Sequence, residues 1–216
     1  TIEGLPEARQ RAAELGLQID EQQMAAFELL LQELVRWNRQ INLTAITKPD
    51  AMTVKHLIDS LHLVPQLQQG EHLLDIGSGA GFPALVLAVM RPDCRISSID
   101  AVAKKISFQK HCVRLLKLDN FQALHGRVEQ MALQQPEQFD LVVSRAFSSL
   151  ELFADLGLPL VRPGGRIISM RRAEGEHEQR QLAAHLQQHG LQPEPCIRYR
   201  LPLQMGMRSL IVMRKA

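Results

Sequence analysis

The chain has 216 residues, 45% of them hydrophobic, and a net charge of +2, which excludes a disordered or collagen-like polymer and supplies core for one domain of ordinary size. Three widely spaced cysteines, Cys94, Cys112 and Cys196, make neither a CxxC pair nor an even framework, so reduced thiols are expected. No apolar run is long enough to cross a bilayer and no basic-then-apolar leader is visible, so a soluble cytoplasmic protein is expected.

In chain order, a short helix ends at Gly16. Asp20 followed by Gln23 reads as a helix start, and Met24, Phe27, Leu30, Leu31, Leu34 and Val35 recur at helical spacing, predicting a helix over 20–38. A further helix is expected from Asp50 to Leu67, after the breaker Lys48-Pro49. Residues 1–70 thus form a helical cap, and residues 71–216 a second unit joined to it in one compact body. From Leu73 onward, short apolar runs alternate with amphipathic ones: "HLLDI", then a helix to Met90; "RISSID", then a helix over 103–117; "FQALHG"; "FDLVVSRA", then a helix over 149–161; "GRIISMR", then a helix over 176–189. Such alternation predicts a mainly parallel, doubly wound sheet that binds its ligand at the carboxyl ends of the strands. "CIRYRLPL" and "RSLIVMRK", joined by "QMGM", read as a closing antiparallel hairpin.

Charge is divided unevenly. Residues 1–72 carry a formal −4 and residues 73–216 a formal +6. The windows 101–118, 156–173 and 195–216 hold basic residues and no acid. Either they are solvated faces or they meet a polyanion.

The stretch "LLDIGSGAGFPALVLA" (73–88) carries the chemistry. An apolar strand ends in Asp75, and Gly77, Gly79 and Gly81 follow at alternate positions. A dinucleotide loop needs GxGxxG, because the pyrophosphate sits on the helix N-terminus. Here Phe82 occupies the third position, and the GxGxG spacing resembles motif I of the S-adenosylmethionine-dependent methyltransferases. An acid beside the loop suits an ammonium and a sulfonium and would repel a phosphate. Asp100 ends the next strand, where a carboxylate accepts from both ribose hydroxyls; NAD and S-adenosylmethionine share that need. At the end of the fourth strand stands "SRAF", with neither the [DN]PP[YF] of amino-group methylators nor a Pro-Cys nucleophile. The one Pro-Cys pair, Pro195-Cys196, is read as buried core.

Six blocks, "RWNRQINLTAI" (36–46), "KHLIDSL" (55–61), "LLDIGSGAGFP" (73–83), "GRVEQ" (126–130), "SRAF" (144–147) and "RSLIVMRK" (208–215), stand in the order and spacing of the glucose-inhibited division protein B family. The chain resembles these bacterial 16S ribosomal RNA guanine-N7 methyltransferases along nearly its whole length. The resemblance implies a Rossmann-like α/β fold, S-adenosylmethionine as cofactor, and as partner 16S ribosomal RNA, the small ribosomal subunit or an assembly intermediate of it. It implies cofactor contacts at Gly77, Phe82, Val128, Glu129 and Arg145, beside Asp75, Gly79 and Asp100 of the loop reading. Arg127, Arg145 and Arg208 match arginines that the resemblance implies matter for RNA engagement or methyl transfer, with Arg145 and Arg127 nearest the chemistry. Two positions depart from the family pattern: Ala84 stands where many members have glycine, and Arg171-Arg172 where many have Lys-Gly. The two other readings are a small-molecule methyltransferase and a nucleoside-binding module without turnover.

Weaker signals remain open. Lys104 and Lys105 begin the helix after Asp100 and meet either RNA phosphate or water. His56, Asp59 and Ser60 either line the pocket mouth or satisfy a junction between cap and core. His185 and His189 stand one helical turn apart with no third ligand nearby in sequence, so no metal site is expected. Trp37 is read as core, and a monomer is expected.

Overall fold

The computed structural model describes residues 2, 4–145, 147, 149–172 and 175–216, without the side chains of residues 175 and 176. Two helices open the cap. α1 (Leu5–Glu14) has Pro6 in its first turn and is followed by Gly16 in a left-handed conformation. α2 (Glu21–Ile41) carries a reciprocal capping box: Asp20 accepts from the Gln23 amide at 2.7 Å, and the Gln23 side chain accepts from the Asp20 amide at 3.0 Å. It runs past the expected end to Asn42, which stops it by turning left-handed at φ 49°.

The single helix expected after Pro49 is broken into pieces: α3 (Pro49–Met52), a π-helical turn (Thr53–Ile58), α4 (Asp59–Leu61) and a 3-10 turn (Val64–Gln66). Burial on all sides is the cause. Met52, Val54, Leu57, Ile58 and Leu61 are buried, but so are Thr53, His56, Asp59 and Ser60. The extra residue of a π turn rotates the chain so that both sets face protein, a device common where a polar group is needed inside.

The strands are β1 (His72–Ile76), β2 (Arg95–Asp100), β3 (Phe121–His125), β4 (Phe139–Ser144), β5 (Val161–Arg172), β6 (Leu191–Pro193), β7 (Ile197–Arg200) and β8 (Met207–Lys215). They lie in the order β3-β2-β1-β4-β5-β8-β6, with β7 also pairing β8. The first five pair in parallel and β8 is antiparallel to its three partners. This is the Rossmann-like sheet with the expected hairpin, β7 to β8. What differs is that β8 is an inner strand, flanked by β5 and by the unforeseen β6. A three-residue strand containing Pro193 leaves no periodic signal.

Crossover helices are α5 (Ala84–Met90), α6 (Ala103–Leu116), α7 (Val128–Gln134) and α8 (Leu150–Gly157), followed by α9 (Gly175–Gln181) and α10 (Ala183–Gln188). α7 was not foreseen, and the helix expected over 176–189 divides at Leu182. Period-two alternation sorts the strands between two cores. Leu73, Leu141, Val143, Ile168 and Val212 face one; Leu74, Val142, Ile167 and Ile211 face the other. The first core also holds Phe27, Leu31 and Leu57 of the cap beside Leu85 and Phe108, so cap and sheet are packed through one apolar cluster. Trp37 packs edge-on to Phe108. Cys196 is half-buried, not fully in the core as expected, because β7 starts one residue later at the sheet margin.

At the amino ends of the strands, Arg166 of β5 donates from Nη2 to both carboxylate oxygens of Glu71, at 2.6 and 2.7 Å, and from Nη1 to the Gln66 carbonyl at 2.6 Å. Both side chains are under a tenth exposed. Glu71→Gln removes the counter-charge and leaves a guanidinium buried, so urea unfolding should show a loss of about 3 kcal/mol. Glu14→Gln, on an exposed helix pair with Arg11, should change stability by less than about 0.5 kcal/mol in the same assay.

Candidate active site

At the end of β1 the chain makes three left-handed glycine steps, Gly77, Gly79 and Gly81, with φ of 67°, 59° and 88°. A Cβ on Gly81 would also lie 2.6 Å from Leu85 Cδ1. The first turn is tied to β2, since the Gly77 amide donates to the Ile99 carbonyl at 2.9 Å. Gln109, fully buried on α6, clamps the rest: its amide donates to Ser78 Oγ at 2.8 Å and to the Gly79 carbonyl at 2.7 Å, while its oxygen accepts from Ser98 Oγ at 2.5 Å. Sequence reasoning missed Gln109. Its signal was an amide on the buried face of α6, beside Ile106, Phe108 and Cys112.

Two carboxylates flank the loop. Asp100 accepts from the Gly79 amide at 2.9 Å and from the Val102 amide at 2.8 Å, which aims it into the loop's concave side. Asp75 is 1% exposed. One of its oxygens accepts from the Ala84 amide at 3.4 Å and the other, Oδ1, has no partner. Burial pushes Asp75 up to about 7, against the lowering influence of Arg145 and the Ala84 amide. A buried carboxylate oxygen left open is the complement of an ammonium brought by a ligand.

Gly77, Asp100, Arg127, Val128, Glu129 and Phe147 line one cavity of about 190 Å³ at the carboxyl ends of β1, β2 and β3. Four predicted cofactor residues and Arg127 therefore meet at one place. Phe82 does not line it; it is buried and stacks on His56, ring centroids 4.8 Å apart.

Arg145 and Arg208 line a second cavity of about 410 Å³ together with Lys55, Asp59, Arg171 and Arg172. Arg145 donates to the Lys55 carbonyl at 2.5 Å and to His56 Nδ1 at 3.0 Å, and its guanidinium stands 3.6 Å from Asp59. A guanidinium only donates, so Nδ1 accepts and the imidazole proton sits on Nε2, facing Thr44 Oγ1 at 3.2 Å. Burial, and then the Arg145 and Lys55 charges, push His56 down to about 3, which keeps the ring neutral. Tyr199, whose ring stacks on His62, donates to the other oxygen of Asp59 at 2.7 Å. His56 and Asp59 thus serve both open readings, satisfying the junction and bordering the pocket.

The Arg171-Arg172 departure divides into two roles. Arg171 donates to the Phe147 carbonyl at 2.6 Å and pairs with Glu178, which holds the segment after β4. Arg172 is exposed and lies opposite Arg208 in the β5–β8 register. Ala146 of the "SRAF" block lies outside the described residues. Lys104 is exposed, whereas Lys105 stands 3.7 Å from Asp100 and borders a groove with Arg39 and Asn42.

The sequence profile of the family described as rRNA small subunit methyltransferase G matches residues 23–200. A ribosomal RNA small subunit methyltransferase G of Geobacter sp. (strain M21) is 44% identical over 201 residues, 93% of each chain. A S-adenosylmethionine-dependent methyltransferase from Aquifex aeolicus superposes with a TM-score of 0.59 at 16% identity, over 77% of this chain and 93% of that one. The TYW2 protein of M. jannaschii, solved in complex with AdoMet, gives 0.58 at 14% identity over 72% and 73%. These two share the fold, and the first likeness, with the profile, goes further: the chain belongs to the small-subunit rRNA methyltransferase G family.

Proposed function

We propose that this chain transfers the methyl group of S-adenosylmethionine to N7 of a guanine in 16S ribosomal RNA. The observation that carries the reading is the adjacency of two unlike cavities around one segment, with Phe147 lining the nucleoside-sized one and Arg145 the basic one. S-adenosylmethionine, when bound, supplies the electrophilic methyl. The unpartnered Asp75 oxygen and the open face of Gly79, with nothing within 4 Å of where a Cβ would stand, fit its amino-acid end. Asp100 fits a ribose, and the Val128–Glu129 segment a base.

Guanine N7 has an in-plane lone pair and needs no deprotonation before it attacks. Consistent with this, the two groups beside Arg145 that could act as a base are engaged: His56 uses both ring nitrogens, and Asp59 is shared by Tyr199 and Arg145. The residues' task is alignment, which contributes roughly 7 kcal/mol or more in well-oriented systems. Arg145, held by the Lys55 carbonyl and by His56, positions the acceptor base next to the cofactor. Arg172 and Arg208 donate to RNA phosphate or a base edge. The single-stranded or distorted segments of RNA expose N7 far better than the deep groove of an A-form helix.

Incubating the protein with labelled S-adenosylmethionine and small-subunit RNA or particles from cells lacking this methyltransferase, then digesting to nucleosides, should give 7-methylguanosine; another product overturns the assigned acceptor. Arg208→Ala should weaken RNA binding and lower the slope of log affinity against log salt by about one unit, while cofactor affinity stays within about twofold.

Asp75 makes cofactor binding pH-dependent. Its pKa of about 7 in the free protein means that below that pH a proton must leave before the carboxylate can receive an ammonium. Calorimetric affinity for S-adenosylhomocysteine should therefore rise from roughly pH 6 to 8 and level off above. Asp75→Asn should bind about tenfold more weakly at the upper end and lose the slope.

A further inference from the structure

α8 and α10 both pack on the second core, through Phe153, Ala154 and Leu186. On their solvent side three ligand-type side chains meet. His185 of α10 and His189 at its C-terminal cap have ring centroids 4.2 Å apart. Asp155 of α8 joins them, so that one ligand atom from each of the three lies within 4.8 Å of the others. The histidine pair is legible in sequence, whereas Asp155 arrives only through the packing of α8.

Two details point to a cation. His185 Nε2 is buried and has no hydrogen-bond partner, and stands 3.7 Å from both Asp155 Oδ1 and Glu151 Oε1, beyond hydrogen-bond reach. His189 Nδ1 donates to the His185 carbonyl at 2.8 Å. That bond places the proton on Nδ1 and leaves the Nε2 lone pair free, the tautomer that a backbone carbonyl sets in metal-bound histidines.

We propose that Asp155, His185 and His189 bind a first-row divalent transition metal, with Zn2+ the best fit, and that Glu151 or water supplies the fourth donor. Two imidazoles and a carboxylate are the donor set of such ions; Ca2+ and Mg2+ favour all-oxygen shells. Neighbouring donors around tetrahedral zinc stand about 3.3 Å apart, so the side chains close inward by roughly 1 Å. Asp155 is half exposed and free to turn. The bound ion joins α8 to α10, and α8 carries Leu156, which lines the nucleoside cavity. The site therefore braces one wall of the cofactor pocket without touching the reacting atoms.

The test uses chelator-treated protein without a histidine tag, titrated with ZnCl2 and, separately, CoCl2. One equivalent should bind with a Kd of about 1 µM or tighter, raise Tm, and give the intense visible bands of tetrahedral cobalt. His189→Ala and Asp155→Asn should each weaken binding at least about tenfold and abolish the Tm rise. Both variants should bind S-adenosylhomocysteine as the metal-free wild type does, which verifies that they fold. Absence of stoichiometric binding by the wild type overturns the site. So does binding that persists unchanged in both variants, because the ion would then sit elsewhere.

Discussion

The guanidinium of Arg145 ties the end of the sheet to the cap beside the basic cavity. Arg145 leaves the end of β4, yet its hydrogen bonds run to the Lys55 carbonyl and the His56 ring of the cap, and its ion pair to Asp59. The arrangement depends on a neutral imidazole, since a protonated His56 has no lone pair for a guanidinium donor. Burial, with the Arg145 and Lys55 charges, pushes His56 well below its usual range and so favours that neutral ring. The π-helical turn is what brings Lys55, His56 and Asp59 to one side within seven residues of chain, and Thr44 and Tyr199 close the network from a loop and a strand. A charge fixed in this way has little rotamer freedom left to lose on binding, which is what the proposed placing of an acceptor base by Arg145 requires.

The glycine loop uses a different strategy, with backbone shaped by glycine and held by one neutral amide and one carboxylate. Gln109 locks the loop from α6, and Asp100 fastens Gly79 from β2. Each contact crosses from one secondary element to another, so the loop is rigid without being filled. Asp75 stands apart from that satisfied set. Its open oxygen destabilises the free protein above the ordinary carboxylate range, and the cost grows as pH rises from about 4 through about 7, because the folded-state pKa is raised. Tension of this kind persists where a ligand relieves it.

Much of this was legible in the residue order. Strand and helix alternation is a local pattern, and it led to the parallel sheet; the glycine spacing and Asp100 led to the cavity at the carboxyl ends of β1, β2 and β3, which is proposed to take the nucleoside. Gln109, Tyr199 and Asp155 were not legible, because each matters through a partner at least 30 residues away along the chain. The broken segment after Pro49 failed for another reason: its apolar residues fit a helical repeat well, and only the burial of His56 and Asp59 on the other sides forces the wider turn. Placement of Arg127 was also beyond sequence. It lines the cavity at the ends of β1, β2 and β3 and not the one lined by Arg145 and Arg208, which separates it from the two arginines with which the family blocks had grouped it.

The inner position of β8 has a consequence for the order in which the site can come into being. The nucleoside cavity is built from β1, β2, β3 and the segment after β4, all present in the first three-quarters of the chain. The basic cavity is finished only when β8 slides between β5 and β7 and sets Arg208 opposite Arg172 and Tyr199. Chain order therefore places the strands of the first cavity early and the strand that completes the basic cavity last, and because Leu210, Ile211, Val212 and Met213 of that strand fill both cores, the basic cavity closes in the same step that completes the packing.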